Sequence, residues 1–187
     1  MRHFKLNIGT KLFILYFLVS STLVWFFAYR TSIESAKSVM IEVSSLMSRV
    51  ASQNNKDGEI DLETFEGLVV NYLRSQKNTV AIESNQKLEN LAIYVTNKDG
   101  LLVLDSRGLA LGIDMRVLNQ VDSVLKGEED IIRVVTELIP GPKKGRGAIT
   151  EWFYKSEFLH ASNPIYSNTG EVIGALVVVA PMMDLLD

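Results

Sequence analysis

The eighteen residues from Leu12 to Tyr29, LFILYFLVSSTLVWFFAY, carry no charge and are bracketed by Lys11 and Arg30. Rising about 1.5 Å per residue, a helix of this length just crosses a hydrocarbon core of roughly 30 Å. A helix apolar on every side has no use at the edge of a small soluble domain, so the run predicts an anchor in a membrane. Arg2, Lys5 and Lys11 put the positive flank before the span. That asymmetry predicts a cytoplasmic tail over 1–11, an anchor over 12–29 and an extracytoplasmic remainder, the layout of a single-pass membrane protein. A cleaved signal peptide carries a shorter apolar region, about 7–15 residues, ending in small residues. Here the run ends in Trp25, Phe26, Phe27 and Tyr29, which suit the lipid–water interface better than a peptidase site.

About 157 residues remain after the anchor, enough for one domain with its own core plus a helical stalk. From Thr31 onward 15 Lys and Arg stand against 22 Asp and Glu. This acidic balance argues against nucleic acid as a partner and gives no broad attraction to an anionic lipid surface. The chain has no cysteine, so disulfides and thiolate metal sites are excluded.

Between residues 30 and 53 the apolar positions Ile33, Ala36, Met40, Val43, Met47 and Val50 alternate in steps of three and four. That spacing suits a left-handed seam between two helices, so a homodimer through a stalk helix is expected. The competing reading is an amphipathic helix packed within one subunit, and Val39 and Leu46 widen the stripe in that direction. Asn54–Glu59, NNKDGE, reads as a break. Asp61 then caps a second helix, whose apolar face is Leu62, Phe65, Leu68, Val69, Tyr72 and Leu73, running to about Ser75. Residues 78–90 read as a loop.

Leu91–Thr96 and Leu101–Asp105 are two strands joined by Asn97-Lys98-Asp99-Gly100, a hairpin turn. A short helix is expected from Asp114 to Lys126, closed by Gly127. Three strands follow at Ile131–Ile139, Ala148–Tyr154 and Glu157–Asn163, and a last one at Val172–Val179 after a turn over Ser167–Glu171. VIGALVVV is apolar at both parities, so both faces of the sheet must be covered there. The loop PGPKKGRG, Pro140–Gly147, lacks the order of a phosphate-binding loop and reads as a solvated hairpin tip.

This succession of elements, with YVTNKDGLLVLDS followed by HASNPIYSNTGEVIGALVVV, resembles the extracytoplasmic Cache, or PAS-like PhoQ-DcuS-CitA, sensor domains. The anchor, the hairpin, Gly112-Ile113-Asp114 and the closing NPIYSNTGEVIGALVV are most similar to the sensor region of the CreC type of histidine kinase. The resemblance implies an α+β fold over residues 54–181, a five-stranded antiparallel sheet flanked by helices. It also implies a small molecule or ion read on the concave face. Asp105 and Ser106 fall at the family position after the second strand, and Gly174 at the glycine of its last strand; the polar run His160-Ala161-Ser162-Asn163 departs from the pattern. A complete kinase would continue into a second span, and Met182–Asp187 resembles the start of a returning helix.

The ligand-site candidates are Tyr94, Asp105, Arg107, Trp152, Tyr154, His160 and Asn163. Arg107 offers a rigid fork of donors to a carboxylate or phosphate, or else makes a surface ion pair. Trp152 and Tyr154 share a strand face as an amphipathic wall or as core. Period two places Phe158, His160 and Ser162 on one face, so His160 looks inward and needs a hydrogen-bond partner. Asp105 most simply caps the turn that follows it. With His3 the only other histidine, no histidine-rich metal cluster is expected, no cofactor is implied, and no catalytic motif appears. The sequence therefore points to a membrane-bound sensing module of an unknown small ligand or extracytoplasmic protein. The alternative is a membrane-anchored adaptor that docks a protein partner without sensing a solute.

Overall fold

The computed structural model describes residues 8–56, 58–79, 91–107, 111–140 and 153–182. Anchor and stalk form one unbroken helix, α1 (Ile8–Gln53), of 46 residues. Its first half is exposed on every side, from Leu12 through Phe27. The hydroxyls within it are satisfied locally: Ser20 donates to the Tyr16 carbonyl (2.8 Å), Ser21 to Phe17 (2.6 Å) and Thr22 to Leu18 (2.7 Å). A helix in hydrocarbon needs this, because nothing else there can accept those protons. Among the described residues one helix is long and apolar enough to cross a membrane, and it is this one.

The second half of α1 lies on the domain. A small hairpin, β1 (Asn55–Lys56) and β2 (Glu59–Ile60), occupies the segment expected to be a plain break. Gly58 takes a left-handed backbone (φ 81°) at its turn, where a side chain would be strained. Helix α2 (Leu62–Thr79) follows, one turn longer than expected. Asp61 caps it, its carboxylate accepting from the Thr64 N–H (3.3 Å) and the Thr64 hydroxyl (3.0 Å).

Five strands make the main sheet: β3 (Ala92–Asn97), β4 (Leu102–Asp105), β5 (Ile131–Pro140), β6 (Phe153–Tyr166) and β7 (Val172–Pro181). Their order is β4-β3-β7-β6-β5, with every neighbouring pair antiparallel. The fold is thus α+β with a five-stranded antiparallel sheet, as the sequence implied. A 3-10 turn (Met115–Val117) and α3 (Asn119–Leu125) replace the single short helix expected there. The two strands expected at 148–154 and 157–163 are, within the described residues, one strand, β6. Lys155 and Ser156, which read as a break, pair with Leu138 and Glu137 where β5 and β6 run on as a ribbon past the end of β7. Lys155 is exposed and Ser156 half-buried there, surroundings that tolerate polar residues as a central strand would not. The loop 141–147 and the returning segment 183–187 lie outside the described residues, as do 80–90.

The central strand β7 is buried along nearly its whole length, as its double-sided apolar pattern requires. On one face Ile173, Leu176, Val178 and Ala180 join a core with Ala36, Met40, Val43, Met47 and Ala51 of α1 and Phe65 and Val69 of α2. On the other, Ala175, Val177 and Val179 pack with Tyr94, Phe158, Val121 and Val124. A Cβ at Gly174 would fall on the Thr96 carbonyl oxygen of β3 and 3.1 Å from Ile60 Cδ1, so only glycine admits the hairpin and β3 this closely.

The stalk seam is used differently from the expectation of a second subunit. Ala36, Met40, Val43 and Met47 are buried against the chain's own sheet, and Ile33 and Val50 are half-buried. Alternation in threes and fours specifies an apolar face, but an antiparallel sheet covers such a face as well as a partner helix does. Three serines at four-residue spacing tie the helix down beside that face. Ser44 donates to the Ala161 carbonyl (3.1 Å), Ser48 donates to the Pro164 carbonyl, and the Ser52 hydroxyl accepts from the Tyr166 N–H (2.9 Å). This ladder makes α1 run parallel to β6. Consequently β7, antiparallel to β6, returns the chain toward the anchor end of the domain.

Candidate functional site

The sheet face opposite α1 gathers four of the expected site residues. Tyr94 of β3 and Asp105 of β4 stand directly across from each other in register, and Tyr94 is buried. Asp105 Oδ1 accepts from the Arg107 N–H (2.7 Å), so it closes the turn after β4 as expected. Ser106 fastens that turn to β3: its N–H donates to the Ile93 carbonyl (3.0 Å) and its hydroxyl accepts from the Ile93 N–H (2.9 Å). The clip sends the exposed Arg107 back over the sheet, with its guanidinium carbon 5.6 Å from the Phe158 ring centroid. An arginine over an aromatic face is held by the attraction of its charge to the ring quadrupole.

His160 lies deeper on the same face, 1% exposed, beside Phe158 on β6. The partner its burial demanded is Gln120 of α3, whose Nε2 is 3.2 Å from His160 Nδ1. With the amide nitrogen donating, Nδ1 accepts and the neutral ring carries its proton on Nε2. Desolvation, and secondarily the positive charge of Arg107, hold the imidazole pKa down at about 4, so the ring is neutral near pH 7. The fully buried Ser162 hydroxyl, next along this face, has no hydrogen-bond partner among the described residues. A neutral imidazole, a stacked guanidinium and an aromatic wall can recognise a ligand, but they offer no activated nucleophile.

Asn163 departs from this group. Odd parity on β6 turns it to the α1 face, where Nδ2 donates to Ser44 Oγ (3.1 Å) and Oδ1 accepts from the Asp130 N–H (2.9 Å). It braces the helix against the sheet, on the face opposite His160. Trp152 lies outside the described residues, and of Tyr154 only the backbone, paired with Ile139, is described. Gln120 was missed in sequence because it sits within a helix read for its apolar positions. The signal that points to it is indirect: a buried histidine needs a polar residue on whatever packs over it.

No protein-family model matches the chain, and no curated protein matches it. Solved structures similar to it include the periplasmic sensory domain of the Campylobacter jejuni chemoreceptor Tlp1, at 14% identity and a TM-score of 0.46 over 84% of this chain. This chain spans 58% of that one. A PAS domain from Colwellia psychrerythraea is 14% identical, with a TM-score of 0.36 over 59% of this chain and 97% of its own. The ligand-binding domain of the Pseudomonas aeruginosa PAO1 amino acid chemoreceptor PctC, solved with GABA, is 16% identical, with a TM-score of 0.33, covering 80% of this chain and 62% of its own. The functional reading below stands on the chain's own residues and topology.

Proposed function

We propose that this chain is the extracytoplasmic signal-sensing module of a membrane receptor, with its tail (1–11) in the cytoplasm and its sheet domain outside. The observation that carries the reading is the single 46-residue helix. One end of α1 is an all-round apolar span, and the other end is a wall of the domain core fixed to β6 by Ser44, Ser48 and Ser52. A ligand that alters the packing of the sheet must also displace this helix, because well-packed cores shift as units. A purely structural anchor has no need of such stiffness. The tail's Arg2, Lys5 and Lys11 support the orientation.

The finer assignment is the sensor region of a CreC-type two-component histidine kinase, and it is supported by the hairpin and closing-strand motifs alone. The kinase activity would belong to segments other than those described. The chain itself is proposed to be non-catalytic, with its stimulus a small molecule on the face of Arg107 and His160. A second subunit would meet the outward side of α1, where Ser38, Glu42 and Leu46 are exposed, since the opposite side is already covered.

The test is a thermal-shift screen of the full chain in detergent micelles against carboxylates, sugar phosphates, amino acids and divalent ions. A ligand that binds only the native state raises the melting temperature. A selective rise, lost in Arg107→Ala, supports sensing at this face. No rise with any solute in the panel overturns small-molecule sensing and favours the adaptor role.

A further inference from the structure

A recess opens on the α1 side of the sheet, where the last two turns of α1 meet the end of β6 and the segment leading into β5. It encloses about 390 Å³, a volume within the range of small-molecule sites. Its walls carry opposite charges: Arg49 from α1, and Glu129 and Asp130 from the segment before β5. Arg49 and the two carboxylates line the same cleft, and among the described residues none of the three makes an ion pair within 4.0 Å.

The acidic wall is held in place rather than left to drift. Asp130 adopts a left-handed backbone (φ 52°), uncommon for a residue with a side chain. It is kept there by the buried Asn163, whose Oδ1 accepts the Asp130 N–H (2.9 Å) while Nδ2 donates to Ser44 of α1 (3.1 Å). Tyr166, also lining the cleft, donates its hydroxyl to Glu129 Oε1 (2.9 Å). Two carboxylates disfavour a simple anion, and Arg49 disfavours a simple cation. No group of three or more metal-ligating side chains exists among the described residues, so a divalent ion lacks ligands here.

We propose that this cleft binds a small zwitterion, its carboxylate paired with Arg49 and its ammonium with Asp130 and Glu129. Such a ligand fills the gap between helix and sheet with the two charges the walls leave unmatched. Because Arg49 rides on α1 and Asp130 precedes β5, the bound molecule cross-links the membrane helix to the sheet. As a stimulus site it rests on the sensing reading above; as a binding site it does not.

The experiment is thermal shift and calorimetric titration of the full chain in micelles with three probes of similar size: β-alanine, propionate and propylammonium. Binding by β-alanine alone is expected, with a rise of about 5–10 °C at a hundred times its dissociation constant. Arg49→Gln and Asp130→Asn should each weaken it at least tenfold. Asparagine tolerates the left-handed backbone, so the second variant removes charge without disturbing the fold. β-Alanine binding unchanged in both variants overturns this site and leaves sensing intact. So does a response confined to probes of other classes, or equal binding of propionate or propylammonium. Absence of any response to the β-alanine series overturns the site, and the broader screen above then decides separately whether the chain senses a solute at all.

Discussion

Acidification should weaken this protein through His160 in a way that a single substitution isolates. The ring is 1% exposed, and its pKa is held at about 4 in the folded state against 6.5 for the free side chain. A base whose folded pKa is depressed contributes stability that is complete above 6.5 and is lost as pH falls from 6.5 to 4, where the unfolded chain takes up the proton first. One pKa unit corresponds to about 1.4 kcal/mol, so the full loss is about 3 kcal/mol, with about 2 kcal/mol of it falling between pH 7 and pH 5. Protonation also costs the Nδ1 acceptor its hydrogen bond from Gln120. Urea unfolding of the full chain in micelles, followed by far-ultraviolet circular dichroism at pH 7 and pH 5, reads this directly. His160→Gln has no imidazole and keeps an amide partner for Gln120, so its stability should change by about 2 kcal/mol less over the same interval. Wild type and variant losing equal stability would refute the burial argument, because the loss would then belong to other groups.

Gly174→Ala should lower stability by at least about 1–3 kcal/mol in the same assay, since the new methyl meets the Thr96 carbonyl of a central strand rather than a flexible side chain; a neutral result would mean that β3 and β7 can separate freely. Met40→Ala, at a fully buried position where α1 meets the sheet, is expected to cost about 2–5 kcal/mol, whereas Leu46→Ala on the exposed side of the same helix should change stability by less than about 1 kcal/mol. Equal losses at both positions would mean that the wrong face of the stalk has been assigned to the domain. Leu18→Arg, in the middle of the anchor, should reduce membrane integration by about 2.5–3.5 kcal/mol in a glycosylation-mapped insertion assay, and unchanged insertion would argue against residues 12–29 as the span.

Much of this architecture is legible in the residues because local pattern and tertiary environment agree. The cap at Asp61, the turn at Gly100 and the double-sided apolar run of β7 each encode their own surroundings. The stalk shows where such reading stops. Its alternation in threes and fours specifies a face to bury and says nothing about what buries it. The more telling signal was the parallel row of serines at 44, 48 and 52, suited to a carbonyl-bearing sheet and ill suited to an apolar helix seam. The site divides in the same way. Inward placement of His160 follows from its parity with Phe158, but its partner Gln120 comes from another element, forty residues away. Parity likewise separates Asn163 from His160, although both lie on the same strand. The cleft of Arg49 and Asp130 joins residues some eighty positions apart, and no local pattern announces such a meeting.

The central claim is that anchor and sheet form one rigid piece, so that events on the domain reach the membrane. The chain has no cysteine, so two can be introduced cleanly, at Thr22 within the span and Thr169 in the β6–β7 turn. Spin labels at these positions, measured by pulsed dipolar spectroscopy in lipid nanodiscs, should give one narrow distance distribution, because α1 runs unbroken from the span to the serine ladder. A broad or two-peaked distribution in the absence of ligand would mean a hinge between anchor and stalk, and a domain that cannot push on its membrane helix.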